Sequence, residues 1–264
     1  MKASLPVNAV ILAAGKGSRM KSILPKVLLP VGGVPILSRI VKTLKDIPVQ
    51  QIGAILSSDL THFDSFLKEN NDITVCIQES QKGTGDAAAT VGHAFKGIKL
   101  PSYNSGRLFR GGFQNFYPVL ITPGDCPFLE SDLLRDFLNR CLDQKAKLGL
   151  VAMEVPDPKG YGRIVVNSKG QLVKIVEQKD ASSEELKINL CNTGVMFADT
   201  TWLFDLLSNL ESNNAQKEFY LTDCFALSVK SNEPVLVYRT PSFKSFQGVN
   251  DRQQLDEANN QVTQ

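Results

Sequence analysis

Apolar and polar positions along this chain switch repeatedly between two periods. Val7 to Ala13 is an apolar run rich in β-branched residues that stops at Gly15 and Gly17, which predicts a buried parallel strand leading straight into a tight loop. From Pro35 to Leu44 the period becomes helical: Ile36, Leu37, Ile40, Val41 and Leu44 share one face, and Pro35 suits the first turn. The exchange then repeats. Strands are predicted at Ile52–Leu56, Thr74–Ile77, Val119–Thr122 and Leu148–Val155, with helices at Leu60–Glu69, Gly85–Phe95 and Leu129–Leu142. Strand and helix taking turns imply an α/β fold, a mostly parallel sheet with helices on both faces.

Beyond Gly160 the texture changes. Short strands are predicted at Arg163–Val166, Gln171–Val176 and Leu190–Ala198, with turn residues Asn167-Ser168-Lys169-Gly170 between the first two, so this half should form an antiparallel lobe. Helices at Thr200–Leu210 and Leu221–Lys230, a strand at Pro234–Arg239 and a helix from about Asp251 to Asn259 complete the chain. Without a Pro-, Ser- or Gly-rich linker or an internal repeat, residues 1–264 read as one domain with an appended lobe. Lys96 to Tyr117, with four Gly and four cationic residues, is the one long irregular connection and reads as a solvated surface excursion, a mobile loop near a site being the alternative.

Composition narrows the function. With 42% hydrophobic and 21% charged residues the 264-residue chain is ordinary globular material. Lys plus Arg number 29 against 27 Asp plus Glu, a net charge of +2 that argues against a nucleic-acid or membrane-surface partner, so an anionic ligand would have to be held by local charge. Five widely spaced cysteines without a CxxC pair or clustered His suggest neither zinc nor disulfides, and fit a reducing cytoplasmic compartment. The first apolar run is too short for a signal peptide, and no stretch reaches the ~20 apolar residues of a membrane span.

The strongest chemical signal is Leu12-Ala13-Ala14-Gly15-Lys16-Gly17-Ser18-Arg19-Met20-Lys21-Ser22-Ile23-Leu24-Pro25-Lys26. Small residues allow close backbone approach, two glycines allow N–H groups to converge on an anion, and Lys16, Arg19, Lys21 and Lys26 bring positive charge. This is the outline of a polyphosphate cradle. It is neither a dinucleotide fingerprint, which would need Gly where Met20 stands, nor a Walker loop; taken alone it is equally a solvated turn after a strand.

The ordered remainder distinguishes these readings. L-A-A-G-x-G-(S/T)-R-M followed by L-P-K resembles the signature of the sugar-1-phosphate nucleotidyltransferases, with wording nearest the N-terminal uridylyltransferase domain of bacterial bifunctional N-acetylglucosamine-1-phosphate enzymes. The resemblance continues in order through Gln78, Gly83-Thr84-Gly85, Gly124-Asp125-Cys126-Pro127, Gly160-Tyr161-Gly162-Arg163, Val176-Glu177-Gln178-Lys179-Asp180, Asn192-Thr193-Gly194, Glu218-Phe219-Tyr220-Leu221-Thr222-Asp223 and Gly248-Val249-Asn250-Asp251. It implies a Rossmann-like nucleotidyltransferase fold, with a nucleotide-binding half at about 1–155, a sugar-binding lobe at 156–247, and a C-terminal helix at 248–264 that returns Asn250 to a metal site.

The resemblance also implies roles. Leu12, Ala13, Ala14, Gly15 and Gly17 would hold the nucleotide, with Ala13, Gln78 and Gly83 reading uracil and Thr84 beside them. Arg19 and Lys26 would be catalytic, Arg19 on the β- and γ-phosphates and Lys26 on the α-phosphate and the incoming sugar phosphate. Asp125 and Asn250 would hold Mg²⁺, and Gly162, Glu177, Asn192, Tyr220 and Thr222 the sugar. The expected reaction joins UTP to N-acetylglucosamine 1-phosphate with release of pyrophosphate. Bland readings stand beside these: Asp125 as a helix cap, Gly83-Thr84-Gly85 as a flexible helix entry, Asn192 and Gly194 as a turn, and Tyr220 as a core residue with a satisfied hydroxyl.

The chain departs from the pattern at several points: Ser18 replaces the commoner Thr and keeps the hydroxyl, and the long Lys96 to Tyr117 connection is unlike that of the nearest relatives. Pro123 stands where Tyr is usual and Asp86 where His is usual, and no hexapeptide repeats follow, so acetyl transfer is not expected. Other acceptors such as glucose 1-phosphate, other triphosphates (dTTP, CTP, GTP) and a non-catalytic nucleotide-sugar sensor stay open as alternatives; oligomeric state is not addressed by the sequence.

Overall fold

The computed structural model describes residues 6–95 and 106–262. The apolar runs and turn signals produce β1 (Val7–Leu12), a two-residue hairpin β2 (Pro30–Val31) and β3 (Val34–Pro35), α1 (Ile36–Lys45), β4 (Val49–Ser57), α2 (Asp64–Glu69), β5 (Thr74–Gln78) and α3 (Thr84–Thr90). Then come β6 (Gly106–Arg110), β7 (Val119–Pro123), α4 (Ser131–Asp143), β8 (Leu148–Glu154), β9 (Arg163–Val166), β10 (Leu172–Val176), β11 (Leu190–Ala198), α5 (Thr200–Leu207), α6 (Asp223–Lys230), β12 (Val235–Arg239) and α7 (Arg252–Val262).

The main sheet runs β10-β9-β11-β7-β1-β4-β5-β6, with β8 pairing β11 and β12. The pairs β1–β4, β1–β7, β4–β5 and β8–β12 are parallel, whereas β11 runs antiparallel to β7, β8 and β9. A mostly parallel core with antiparallel additions is therefore the Rossmann-like arrangement expected. The sheet is continuous: β11 and β12 lie in it, and the β9–β10 hairpin extends it through the Cys191–Arg163 pairing.

Side chains alternate across β1, Ala9 and Ile11 entering one core and Val10 the other. The first core takes Ile36, Leu37 and Ile40 of α1, Phe66 of α2 and Leu134 and Phe137 of α4. The second takes Ala87 to Ala89 of α3, Leu203 and Phe204 of α5 and Phe225 of α6. Helices thus cover both faces, which is why the central strands read as nearly unbroken apolar runs.

Three local expectations are corrected. Part of the expected irregular connection is strand β6, antiparallel to β5 at the sheet edge, while 96–105 lie outside the described residues. Helix α2 starts at Asp64 and not Leu60, because the Asp59 carboxylate accepts from both the N–H and the hydroxyl of Thr61 and holds a turn there. The expected helix Gly85–Phe95 is α-helical only to Thr90, then tightens into a 3₁₀ turn at Val91–Ala94. All five cysteines are free and buried, and no described helix is long and apolar enough to cross a membrane.

Candidate active site

From β1 the chain crosses to β4 and β5 on one side, then returns to β7 on the other. The connections leaving β1 and β7 therefore diverge at their carboxyl ends, the position where open α/β sheets form ligand crevices. A cavity of about 520 Å³ lies there. Leu12, Ala13, Ala14, Gly15 and Lys16 form one wall after β1; Gln78, Gln81, Gly83 and Thr84 come from the β5–α3 turn, and Pro123, Gly124 and Asp125 from the end of β7. The second half of the chain closes it with Glu177, Asn192, Gly194, Met196, Glu218, Leu221 and Thr222. Gly124 lets the strand ends meet: its N–H donates to the Leu12 carbonyl at 2.9 Å, and a Cβ there would lie 2.8 Å from that oxygen.

At one end of the crevice, Gly17 has φ +57°, and a Cβ built on it would stand 2.6 Å from Lys26 Cβ. Only glycine lets the loop fold this closely over Lys26. Lys26 Nζ donates to Asp125 Oδ2 at 2.5 Å and to Asn250 Oδ1 at 3.0 Å, while Arg19 Nη2 reaches Asn250 Oδ1 at 3.4 Å. The Lys26 and Asp125 side chains are only 13% and 19% exposed, so water screens their charges little. Asn250 is held there because the Val249 N–H donates to the Asp125 carbonyl at 2.8 Å and the Asn250 N–H to Gln254 Oε1 at 2.7 Å. The guanidinium of Arg252, first residue of α7, donates to the carbonyls of Met20 and Lys21, latching the glycine-rich loop to the C-terminal helix.

Asp125 and Asn250 thus aim one carboxylate oxygen and one amide oxygen at a single cationic atom. An oxygen-only pair suits Mg²⁺, which takes its remaining ligands from phosphate and water. Among the described residues no three His, Cys, Asp or Glu side chains gather as a closed metal site.

The opposite end of the cavity is built around the β5–α3 turn. Gly83 has φ +106°, and a Cβ there would meet the Phe219 carbonyl at 2.6 Å. The turn is strapped to the 218–222 segment: Phe219 N–H donates to the Lys82 carbonyl at 2.8 Å, Gly85 N–H to the Phe219 carbonyl at 2.7 Å, and Leu221 N–H to Thr84 Oγ1 at 3.1 Å. Gln81 Nε2 donates to the Ala14 carbonyl at 2.5 Å, joining the turn to the glycine-rich loop, and its Oε1 is buried with no hydrogen-bond partner among the described residues.

On the far wall the Thr222 hydroxyl donates to Glu177 Oε1 at 2.9 Å. Burial pushes the Glu177 carboxyl above its ordinary range, the Thr222 hydrogen bond opposes this, and the carboxylates of Asp223, Asp180 and Glu218 add to the rise. The Tyr220 hydroxyl donates to Asp180 Oδ2 at 3.1 Å, and burial followed by that bond raises its pKa. The Gly162 carbonyl accepts from the Asn192 N–H at 2.9 Å, and Asn192 Oδ1 accepts from Gly194 N–H at 3.0 Å, shaping the turn that carries Gly194 and Met196 to the cavity.

Of the residues singled out in the sequence, Leu12, Ala13, Ala14, Gly15, Lys26, Gln78, Gly83, Thr84, Asp125, Glu177, Asn192 and Thr222 line the cavity. Arg19 and Asn250 join it through Lys26, Gly17 packs against Lys26, and Gly162 and Tyr220 stand behind the wall with the partners just given. Lys16, one of the cations of the glycine-rich loop, is exposed and borders the cavity. Gln81 and Glu218 also line it without having been singled out as site residues. Glu218 had a signal inside E-F-Y-L-T-D; Gln81 had none, because its contact with Ala14 spans 67 positions.

Residues 9–248 match the MobA-like NTP transferase domain, so the chain belongs to that family. It is similar to the bifunctional protein GlmU of Geotalea daltonii, 34% identical over 252 residues (96% of this chain, 51% of that one), and to that of Pseudomonas putida, 35% identical over 256 residues (96% and 51%). The chain spans about half the length of these curated relatives. A crystal structure of a protein assigned as a glucose-1-phosphate thymidylyltransferase from Bacillus anthracis superposes with a TM-score of 0.72 at 20% identity, covering 97% of this chain and 95% of that one, which shows the shared fold.

Proposed function

We propose that the chain is a sugar-1-phosphate uridylyltransferase that converts UTP and N-acetylglucosamine 1-phosphate to UDP-N-acetylglucosamine and pyrophosphate. The observation that carries the proposal is the junction of Lys26 with Asp125 and Asn250, within reach of Arg19, at the mouth of a nucleotide-sized crevice. The similarity to GlmU over nearly the whole chain favours this acceptor and this nucleotide over others.

A sugar 1-phosphate is ionised near neutral pH, its second pKa being about 6 by analogy with phosphorylated side chains, so the attacking oxygen needs no general base. What the protein supplies is alignment and neutralisation of two anions. Lys26 would bind the α-phosphate and the incoming phosphate, and Arg19 the β- and γ-phosphates that leave as pyrophosphate. Asp125 and Asn250 would hold Mg²⁺, which when bound offsets charge between the reacting phosphates. When substrates arrive Lys26 exchanges its bonds to these two oxygens for phosphate oxygens. Ala13, Gln78 and Gly83 would read the base, and Leu12, Ala14, Gly15, Gly17 and Thr84 would shape the nucleotide channel. Glu177, Asn192 and Thr222 would bind sugar hydroxyls and the acyl group, with Gly162 and Tyr220 supporting them. This divides the chain into a nucleotide half at 1–155, a sugar-binding portion at 156–247 and a closing segment at 248–264.

The proposal is tested by pyrophosphate release with Mg²⁺, each of UTP, dTTP, CTP and GTP, and N-acetylglucosamine or glucose 1-phosphate. UTP with N-acetylglucosamine 1-phosphate should turn over fastest; a higher rate with another pair would overturn the substrate assignment. No turnover with any pair would favour a sensor.

A further inference from the structure

We infer that Asp86 is a positioning residue for base selection: it fixes the Gln78 side-chain amide so that only the carbonyl oxygen faces the nucleotide, committing the site to a base that presents a ring N–H. The inference rests on the assignment of Gln78 to the base. Gln78 ends β5, is 4% exposed and lines the cavity; Asp86 lies on the first turns of α3 and is 2% exposed. Gln78 Nε2 donates to Asp86 Oδ2 at 2.6 Å and to the Gly83 carbonyl at 3.2 Å. The Lys82 N–H donates to the same Asp86 oxygen at 3.3 Å and helps hold the carboxylate against Gln78.

An unconstrained glutamine can turn its amide by 180° and offer a ligand either donors or an acceptor, so by itself it discriminates poorly between uracil and cytosine. Here both neighbours at one end of the amide are acceptors, one of them a backbone carbonyl that can be nothing else. The NH₂ group therefore faces inward on chemical grounds, whatever rotamer is assigned. Its two hydrogens serve Gly83 and Asp86, and Oε1 accepts no hydrogen bond from any described residue. The oxygen left for the nucleotide matches the N3–H of uracil or thymine. It opposes the N3 lone pair of cytosine, so a cytosine in the same pose would leave two acceptors facing each other in a buried site. Leaving such a pair unmade corresponds to roughly 5- to 160-fold in affinity.

The test is the ratio of Kd for CTP to Kd for UTP, measured by titration calorimetry with the triphosphate and Mg²⁺, on the full chain and on variants shown to fold by thermal melting. The wild-type ratio should be at least about tenfold, and Asp86→Ala should lower it by about fivefold or more. Asp86→Asn keeps an oxygen where Lys82 N–H and Gln78 Nε2 can both reach it and should retain the wild-type ratio. In a Gln78→Ala background, Asp86→Ala should leave the ratio unchanged, because the proposed route from Asp86 to the base runs through the Gln78 amide. An unchanged ratio in Asp86→Ala, or a loss that persists without Gln78, overturns the role of Asp86 while leaving uridylyl transfer intact. A wild-type protein that prefers CTP overturns the base assignment and the positioning role together.

A second readout needs no Asp86 variant. The Gln78 carboxamide protons, assigned in ¹H–¹⁵N spectra by their loss in Gln78→Ala, should be protected from solvent exchange in the free protein and remain so with UTP bound. Exchange as fast as that of an exposed glutamine overturns the inference.

Discussion

Replacing Gly17 by Ala asks whether the backbone of the glycine-rich loop sets the position of Lys26. Two costs can be separated. The left-handed φ of +57° costs an L-residue about 1–2 kcal/mol, which for a domain of this size corresponds to about 2–8 °C in Tm. The new Cβ would also stand 2.6 Å from Lys26 Cβ, where 3.4–4 Å is ordinary contact, so loop and lysine must part by roughly an ångström. The conflict is with a Cβ, not with a flexible chain end, so it cannot be relieved by turning the ammonium alone. A displacement of about 1 Å at a group that aligns reacting phosphates costs on the order of 10²-fold in rate. Gly33→Ala is the control: it has φ +77° with nothing within 4 Å of the added Cβ, and so carries the strain without touching Lys26. Melting curves and steady-state pyrophosphate release should show similar losses of Tm in both variants but a kcat about 10²-fold lower in Gly17→Ala alone. A Gly17→Ala enzyme with kcat within threefold of wild type, or a Gly33→Ala enzyme equally impaired, refutes the link between this backbone and Lys26.

Other consequences are as specific. Lys26→Ala and Arg19→Ala should each lower kcat by about 10²–10³-fold, measured under saturating substrates with folding checked by circular dichroism. Arg252→Ala, which frees the Met20 and Lys21 carbonyls, should raise the KM for UTP with a smaller change in kcat, and an unchanged KM would show that the latch does not order the loop. Because burial raises the Glu177 pKa, ionising that carboxyl opposes folding: the penalty is absent below the unfolded carboxylate value near 4.5 and grows as pH rises through the folded value. Glu177→Gln keeps an oxygen for Thr222 but cannot ionise, so its Tm relative to wild type should rise from pH 4 to pH 7.5; a constant difference contradicts the assignment.

Legibility from sequence followed the range of the interactions. Buried strands and amphipathic helices such as β1 and α1 are visible because periodicity is local. Edge strand β6 leaves little trace in the sequence because Gly106 and the arginines at 107 and 110 interrupt its apolar signal, and its side chains are only partly covered. Strand β11 is legible as a strand from its apolar run, but nothing local reveals that it inserts between β7 and β8. The site divides in the same way. Lys26 is legible as a cation of the glycine-rich loop, but its junction with Asp125 and Asn250 is legible only through the resemblance, since their meeting depends on β7 ending beside β1 and on Val249 pairing with Asp125. The bonds from Gln81 to Ala14 and from Gln78 to Asp86 leave no trace in periodicity; only the three-dimensional turn between β5 and α3 creates them.

The proposed role of the Lys26–Asp125–Asn250 junction is to direct attack of a sugar phosphate on the α-phosphate of UTP. The most direct measurement follows label from [α-³²P]UTP and, separately, [γ-³²P]UTP during turnover with N-acetylglucosamine 1-phosphate and Mg²⁺. The α-label should pass into a nucleotide-sugar and the γ-label into pyrophosphate, with both transfers lost in Asp125→Ala. Recovery of α-label as UDP, of γ-label as inorganic phosphate, or undiminished transfer in Asp125→Ala would contradict it.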